Sequence, residues 1–212
     1  MEVLQILEKS MDLKKKTNKE FLFENTDILK SKIRKEICTK RNQLSNSEWE
    51  EKTKYIYEKV VSHPFFIQAD EIYCYIDYKN EVGTRTIIEK AWELKKAVGV
   101  PKIIGGEMQF FYINNFSEVE KGYCNILEPT TNLLAKPVPE QRTVLIIMPG
   151  VGFDRERNRI GYGKGYYDRY LDKYSFCHTL AIAFELQVVE NIPVGAYDKK
   201  PEVIITEENI YV

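Results

Sequence analysis

The stretch Met148–Leu171 (MPGVGFDRERNRIGYGKGYYDRYL) constrains the fold of this 212-residue chain more than any other. Ahead of it lies an apolar run, Thr143–Met148 (TVLIIM), short and β-branched enough to be a buried strand. Pro149, Gly150, Gly152, Gly161, Gly163 and Gly165 then crowd into seventeen positions. Behind them Tyr166, Tyr170, Leu171 and Tyr174 recur at helical spacing, which predicts a helix over Tyr166–Tyr174. A glycine-rich loop thus runs from a strand into a helix N-terminus. There backbone N–H groups can approach an anion closely, and the helix end adds about half a positive charge. Lys164, Arg159, Arg157 and Arg155 put mobile positive charge on the same loop. The natural ligand of such a loop is a phosphate.

Neither common nucleotide fingerprint fits. A Walker A loop reads Gly-x-x-x-x-Gly-Lys-Ser/Thr, but Asn158 stands where its first glycine belongs and Gly165 follows the lysine. The dinucleotide pattern Gly-x-Gly-x-x-Gly fails at Tyr166. An ordinary βα loop is the plainer alternative, and it sits poorly with three alternating glycines around one lysine.

The run Asn158–Asp168 (NRIGYGKGYYD), preceded by Met148–Asp154 (MPGVGFD), resembles the signature of the 5-formyltetrahydrofolate cyclo-ligases, also called methenyltetrahydrofolate synthetases. The resemblance extends from about Lys30 to about Ile205. It implies an ATP-dependent enzyme that converts 5-formyltetrahydrofolate to 5,10-methenyltetrahydrofolate, ADP and phosphate. The formyl oxygen is phosphorylated and N10 closes the ring. Carried onto matching positions, the resemblance implies ATP contacts from Lys30 and Arg34, which reproduce the family's Lys-x-x-x-Arg. It adds Arg159, Ile160, Gly161, Tyr162, Gly163, Lys164, Gly165, Tyr166 and Tyr167 around the triphosphate. Folate contacts are implied for Ile76, Glu81, Tyr162, Gly163, Lys164, Gly165 and Tyr166, and magnesium (Mg2+) for Asp168 and Asp198. Lys164 is the candidate catalytic residue, acting on the transferred phosphoryl group. Tyr162 stands where some relatives carry a basic residue, so stacking on the folate is its expected role.

Bulk properties bound the reading. Hydrophobic residues make up 43% and charged residues 30%, as in an ordinary globular protein. The length suits one α/β domain over residues 27–212 with an N-terminal arm or extra helix over 1–26. A formal net charge of −1 provides no field to draw the chain to nucleic acid or to an anionic membrane. Cys38, Cys74, Cys124 and Cys177 lie too far apart for metal or redox motifs, and His63 and His178 are too few for a zinc site. No apolar run approaches eighteen residues, so no spanning segment is read and a reducing cytoplasm is the default; a monomer is expected as well.

Periodicity supplies the other elements. Leu29, Ile33 and Ile37 predict a helix from Asp27, with Lys30 and Arg34 together on a neighbouring face. Left to periodicity alone, those two cations would belong to a solvated basic face. Ser47 with Glu50 reads as a capping box for a helix burying Trp49, Ile56 and Val60. Strands are predicted at Glu71–Ile76, Val100–Ile104, Met108–Ile113, Thr179–Leu186 and Glu202–Thr206. A helix from Thr84 carries Ile87, Ala91, Leu94 and Val98. Gly105-Gly106 makes a two-residue hairpin turn. Phe116–Arg142, with three prolines, reads as a surface loop whose Asn125–Pro129 (NILEP) segment reaches the site.

Strands alternating with helices predict a three-layer αβα sandwich around a mostly parallel central sheet. Loops after Ile76, Met148 and Leu186 then reach one sheet edge and gather Glu81, Lys164, Asp168 and Asp198. Two other functions compete with the enzyme. The basic helix and the Arg/Tyr-rich loop could hold single-stranded RNA, or the chain could bind folate without turning it over.

Overall fold

In the computed structural model, which describes residues 26–122, 125–130 and 142–212, helix α1 covers residues 26–41 and α2 covers Asn46–Ser62. The arm expected over residues 1–26 lies, Thr26 apart, outside the described residues. α2 starts two residues earlier than predicted. Ser45 Oγ accepts from the Glu48 N–H, and the Glu48 carboxylate accepts from the Ser45 N–H at 2.9 Å, so the capping box is Ser45/Glu48 rather than Ser47/Glu50. Two overlapping S-x-x-E patterns compete here, and the short turn after Arg41 already reaches the first of them. The inward face is as expected, with Ile56 and Val60 buried and Trp49 packed beside them.

The face of α1 is not as expected. Leu29 is 49% exposed, whereas Lys30, Ile37 and Arg41 are buried. The reason is what α1 rests on. It covers the glycine-rich loop, whose carbonyl and hydroxyl acceptors attract the cationic stripe, and Ile37 supplies its apolar contact. A Cβ on Gly152 would stand 2.4 Å from Ile37 Cδ1, so any side chain there would have to displace Ile37 from its place on the loop.

After the short α3 (Pro64–Gln68), strand β1 covers Glu71–Cys74 and is buried along its whole length. It ends two residues before Ile76. Helix α4 (Arg85–Glu93) and strands β2 (Ala97–Ile104) and β3 (Glu107–Tyr112) follow. α4 buries Ile87, Ile88 and Ala91, but Leu94 is half exposed and Val98 belongs to β2, because the helix stops at Glu93. Gly105 and Gly106 turn the β2–β3 hairpin with φ of 59° and 86°, the left-handed pair such a turn requires.

The segment read as a plain loop contains a small hairpin, β4 (Val119–Lys121) with β5 (Leu127–Pro129). Strand β6 (Val144–Met148) is the predicted apolar run, wholly buried. Next come β7 (Gly152–Asp154), β8 (Arg159–Ile160), α5 (Tyr166–Lys173), β9 (His178–Ile182), β10 (Val188–Val189), β11 (Val203–Ile205) and β12 (Ile210–Tyr211). β9 and β11 are shorter than predicted. After β9 the chain makes a 3₁₀ turn, Glu185–Gln187, on its way to the site.

The main sheet has the order β12-β11-β9-β6-β1-β2-β3. Its inner pairings, β11–β9, β9–β6, β6–β1 and β1–β2, are parallel, and only the edge strands β12 and β3 run antiparallel. Alternation along the strands divides the core. Ile72, Leu145 and Ile147 pack with Ile56, Val60, Ile87 and Ala91 of α2 and α4. Tyr73, Ile146 and Met148 pack with Tyr170 and Leu171 of α5 on the other face. Helices therefore cover both faces of a mostly parallel sheet. A second sheet, β10-β7-β8, carries the glycine-rich segment. Among the described residues no helix is long and apolar enough to cross a membrane. Cys38, Cys74 and Cys177 are free thiols; Cys124 lies outside the described residues.

Candidate functional site

Asp154, at the end of β7, organises the first half of the loop. Its Oδ1 accepts the Asn158 N–H at 2.9 Å, and Oδ2 accepts Asn158 Nδ2 at 2.8 Å and the Ile192 N–H at 3.0 Å. This 1% exposed carboxylate closes the β7–β8 turn and ties it to the segment leading to Asp198. With both oxygens engaged, Asp154 is a structural hub rather than a ligand for a metal.

Gly161–Gly165 then carries the chain from β8 into α5. Gly163 has φ 89° and Gly165 φ 64°, and a Cβ on Gly163 would stand 3.3 Å from Arg34 Nη2. The glycines serve backbone conformation and close approach together. Gly165 is the N-cap of α5 and supplies no side-chain acceptor, so the first N–H groups of the helix keep their donors for a ligand.

α1 meets this loop with cations at i, i+4 and i+11. Lys30 pairs with Asp198. Arg34 Nε donates to the Gly161 carbonyl at 2.8 Å, and Arg41 Nη2 donates to the Tyr162 hydroxyl at 3.0 Å. Lys30 is 8% and Arg41 4% exposed, so this stripe is not a solvated basic face. Arg41 was not among the expected site residues. Its only signal was its place seven residues past Arg34, two helical turns along the same stripe.

The two predicted metal carboxylates are neighbours. Asp168 Oδ1 accepts Arg159 Nη2 at 2.7 Å and the Lys199 N–H at 3.1 Å, and Lys199 directly follows Asp198. Asp198 Oδ2 accepts from Lys30 and from the Gly195 N–H at 2.7 Å. Each carboxylate thus commits one oxygen to a cation and leaves the other outside these bonds. Among the described residues no cluster of three or more His, Cys, Asp or Glu is placed to cage a metal. Magnesium needs no such cage, since one or two carboxylates complete its shell beside water and substrate phosphates. The donor set fits that ion.

Glu81, in the loop after β1, is 7% exposed. Its Oε2 accepts the Tyr78 N–H at 3.0 Å and its Oε1 the Tyr162 hydroxyl at 2.9 Å. Burial pushes this carboxyl up, while the two hydrogen bonds and Arg41 pull it back. The Tyr162 phenol is pushed up to about 12, by burial of its hydroxyl first and then by the Glu81 charge. Its ring nonetheless remains largely exposed and offers a face for stacking. Ile76 is half-buried against the core beneath Glu81's loop.

Tyr167 is directed inward. Its hydroxyl and Arg159 Nε are buried without a hydrogen-bond partner among the described residues, and the Arg159 guanidinium lies 5.8 Å from the Tyr167 ring. Ile160 is buried in β8. Arg169 covers the Tyr166 ring at 5.2 Å and donates to the Lys164 carbonyl at 2.9 Å. Lys164 itself is exposed. Leu127–Pro129 is drawn into the β4–β5 hairpin, and the Pro129 carbonyl is held by Lys102 of β2.

The comparisons with known proteins agree with this geometry. Residues 27–207 match the model of the 5-formyltetrahydrofolate cyclo-ligase family. The 5-formyltetrahydrofolate cyclo-ligase of Mus musculus is 27% identical over 84% of this chain and 93% of its own. A probable 5-formyltetrahydrofolate cyclo-ligase of Schizosaccharomyces pombe is 29% identical over 86% of this chain and 97% of its own. Among solved structures, the 5,10-methenyltetrahydrofolate synthetase of Aquifex aeolicus superposes with a TM-score of 0.76 at 31% identity, covering 86% of this chain and 91% of that one. The synthetase of Mycoplasma pneumoniae gives 0.67 at 27% identity, covering 84% and 98%. From the first turn of α1 to just beyond β11, the chain belongs to the 5-formyltetrahydrofolate cyclo-ligase family.

Proposed function

We propose that this chain converts 5-formyltetrahydrofolate and ATP to 5,10-methenyltetrahydrofolate, ADP and phosphate. The observation that carries the reading is the seating of Arg34 and Arg41 on the glycine-rich loop that opens the N-terminus of α5, with Lys30 of the same helix paired to Asp198 beside it. A formyl amide is a weak electrophile and its oxygen a poor leaving group. Phosphorylating that oxygen corrects both defects; N10 attacks the activated carbon and gives up its proton, and phosphate departs with the former formyl oxygen, leaving the conjugated methenyl cation. Catalysis then depends on positioning and on stabilising charge at phosphoryl oxygens.

In this proposal Lys30, Arg34 and Arg159–Tyr167 hold the triphosphate. Glu81 accepts from the paired N–H groups of the pterin, Tyr162 and Tyr166 lie against it, and Ile76 forms the apolar floor. Lys164, free at the mouth of the loop, reaches the transferred group. One such cation about 4 Å from a phosphate oxygen contributes on the order of 4 kcal/mol at an effective dielectric near 20, before desolvation. Asp168 and Asp198 would hold magnesium through their uncommitted oxygens, and the ion would supply charge neutralisation to the phosphates. Residues 27–212 form the catalytic unit, working as a monomer in the cytoplasm.

The RNA-binding reading is the weaker one, because Lys30 and Arg41 are buried and engaged with Asp198 and Tyr162 rather than presented to a nucleic-acid backbone. The test is spectrophotometric. Purified protein should form methenyltetrahydrofolate from 5-formyltetrahydrofolate only with ATP and magnesium present. Absence of product under those conditions, with folate still bound, would favour the silent binding protein.

A further inference from the structure

The Arg41–Tyr162–Glu81 chain of hydrogen bonds has a direction. A guanidinium can only donate, so at 3.0 Å the Tyr162 oxygen must accept from Arg41 Nη2. The Tyr162 proton is thereby sent the other way, to Glu81 Oε1 at 2.9 Å. Glu81 Oε2 faces a second obligate donor, the Tyr78 N–H, at 3.0 Å. Both carboxyl oxygens meet donors. Hydrogen bonds donated to both oxygens favour the carboxylate over the neutral acid, whose protonated oxygen is the weaker acceptor.

We infer that Arg41 is a positioning residue for substrate recognition, acting through the Tyr162 hydroxyl to keep Glu81 an acceptor-only group for a ligand bearing paired N–H donors. The inference rests on the proposed placement of the pterin at Glu81 and deepens it. A neutral carboxylic acid presents one donor and one acceptor and mismatches such a pair, whereas a carboxylate matches it. The relay is needed because the site is otherwise hostile to charge. Tyr75 and Tyr167 approach Glu81 from β1's end and from α5, and the Asp77 carboxylate on its own loop repels it. Asp77 is itself occupied by the Thr84 N–H at 2.8 Å. Arg41 is the cation that opposes burial at Glu81, and it does so from a fixed position, 4% exposed. Its Nε and Nη1 lack partners among the described residues, so Arg41 is held in the site with unused donors.

The test uses the full-length protein and two readouts. The first is Glu81 titration in the ligand-free protein, followed by carboxyl carbon NMR and assigned with Glu81→Gln. Arg41→Met should move the Glu81 midpoint upward by on the order of one pH unit. Tyr162→Phe, which removes only a hydroxyl from an exposed ring, should do the same and guards against a misfolded Arg41 variant. Arg41→Lys, retaining a donor, should restore part of the shift. In the Tyr162→Phe background, Arg41→Met should add less than it does alone. The second readout is KM. For the folate, its acid-side rise should move upward with the midpoint, while KM for ATP stays flat across the same range. A Glu81 midpoint unmoved by both substitutions overturns the relay. A midpoint that moves while the folate KM profile stays put upholds the relay and overturns the placement of the pterin at Glu81.

Discussion

Arg34 Nε donates to the carbonyl of Gly161 at 2.8 Å, and its Nη2 lies 3.3 Å from where a Cβ on Gly163 would stand. One arginine of α1 thus holds the loop at Gly161 and passes close over Gly163, whose φ of 89° itself favours glycine. Lys30, a turn earlier on α1, is tied instead to Asp198 in the segment before β11. The helix bridges two chain segments separated by more than thirty residues, and both bridges end in the proposed phosphate site.

The two cations should therefore fail differently. Arg34→Ala frees the loop and should raise KM for ATP about 10-fold or more, the loss of one charge-assisted hydrogen bond. Arg34→Lys should not rescue it, because a flexible ammonium does not reproduce the planar guanidinium that donates to Gly161. Lys30→Ala should weaken ATP binding and also lower Tm, since Asp198 loses its partner. Calorimetry on both variants should find folate affinity near that of the parent. A fall in folate affinity with ATP affinity intact would show that the two ligand sites are reversed.

Lys164 is exposed between Gly163 and Gly165 at the entrance of α5, and its carbonyl is tied by Arg169. That exposure suits a group that meets charge developing on the transferred phosphoryl. Lys164→Ala should lower kcat by about 10²–10³-fold, the cost of losing one charge-stabilising donor, with little change in Tm. Near-normal turnover at saturating ATP would remove Lys164 from the chemistry.

Glu81 opposes stability to function. Burial raises its carboxyl above the ordinary value, so the folded state holds a proton that the unfolded chain has already released. The favourable contribution is complete below the unfolded value near 4.5 and is lost as pH rises through the raised folded value. Compared with Glu81→Gln at each pH, the parent should lose relative Tm steadily across that window and then level off. The variant should bind folate poorly. A Tm difference independent of pH would place the Glu81 carboxyl outside the buried environment described above.

Much of this was legible in residue patterns, and the failures have physical causes. The β6–loop–α5 unit could be read because a continuous apolar run, clustered glycines and helical spacing agree over two dozen residues. Strands β7, β8 and β10 could not. They are two or three residues long, too short to show a period, and the β10–β7 pairing and the Asp154–Ile192 bond that fix them are contacts remote in sequence. α1 misled in another way. Periodicity nominated Leu29 for burial, but Lys30 and Arg41 take that place because their partners, Asp198 and Tyr162, lie more than a hundred residues away. Residue spacing shows that cations share a face, but not whether acceptors wait beneath it.

Magnesium is where the observed pairings sharpen the expectation most. Asp168 and Asp198 are each already paired with a cation, Arg159 and Lys30, whose side chains are 5% and 10% exposed. Replacing either aspartate by asparagine keeps the shape but strands a buried charge, so each variant should lose stability, by as much as about 3–5 kcal/mol for the drier Arg159 pair. That loss would follow with or without a metal and does not identify a metal ligand. The discriminating measurement is a magnesium titration of activity at fixed ATP, below the melting range of the variants. Each Asn variant should need about 10-fold more magnesium for half-maximal rate, while folate binding measured without metal persists. If both variants titrate like the parent and differ only in Tm, the carboxylates serve Arg159 and Lys30 alone. The phosphate charge would then be met by Lys164, the loop N–H groups and a hydrated ion that touches neither aspartate.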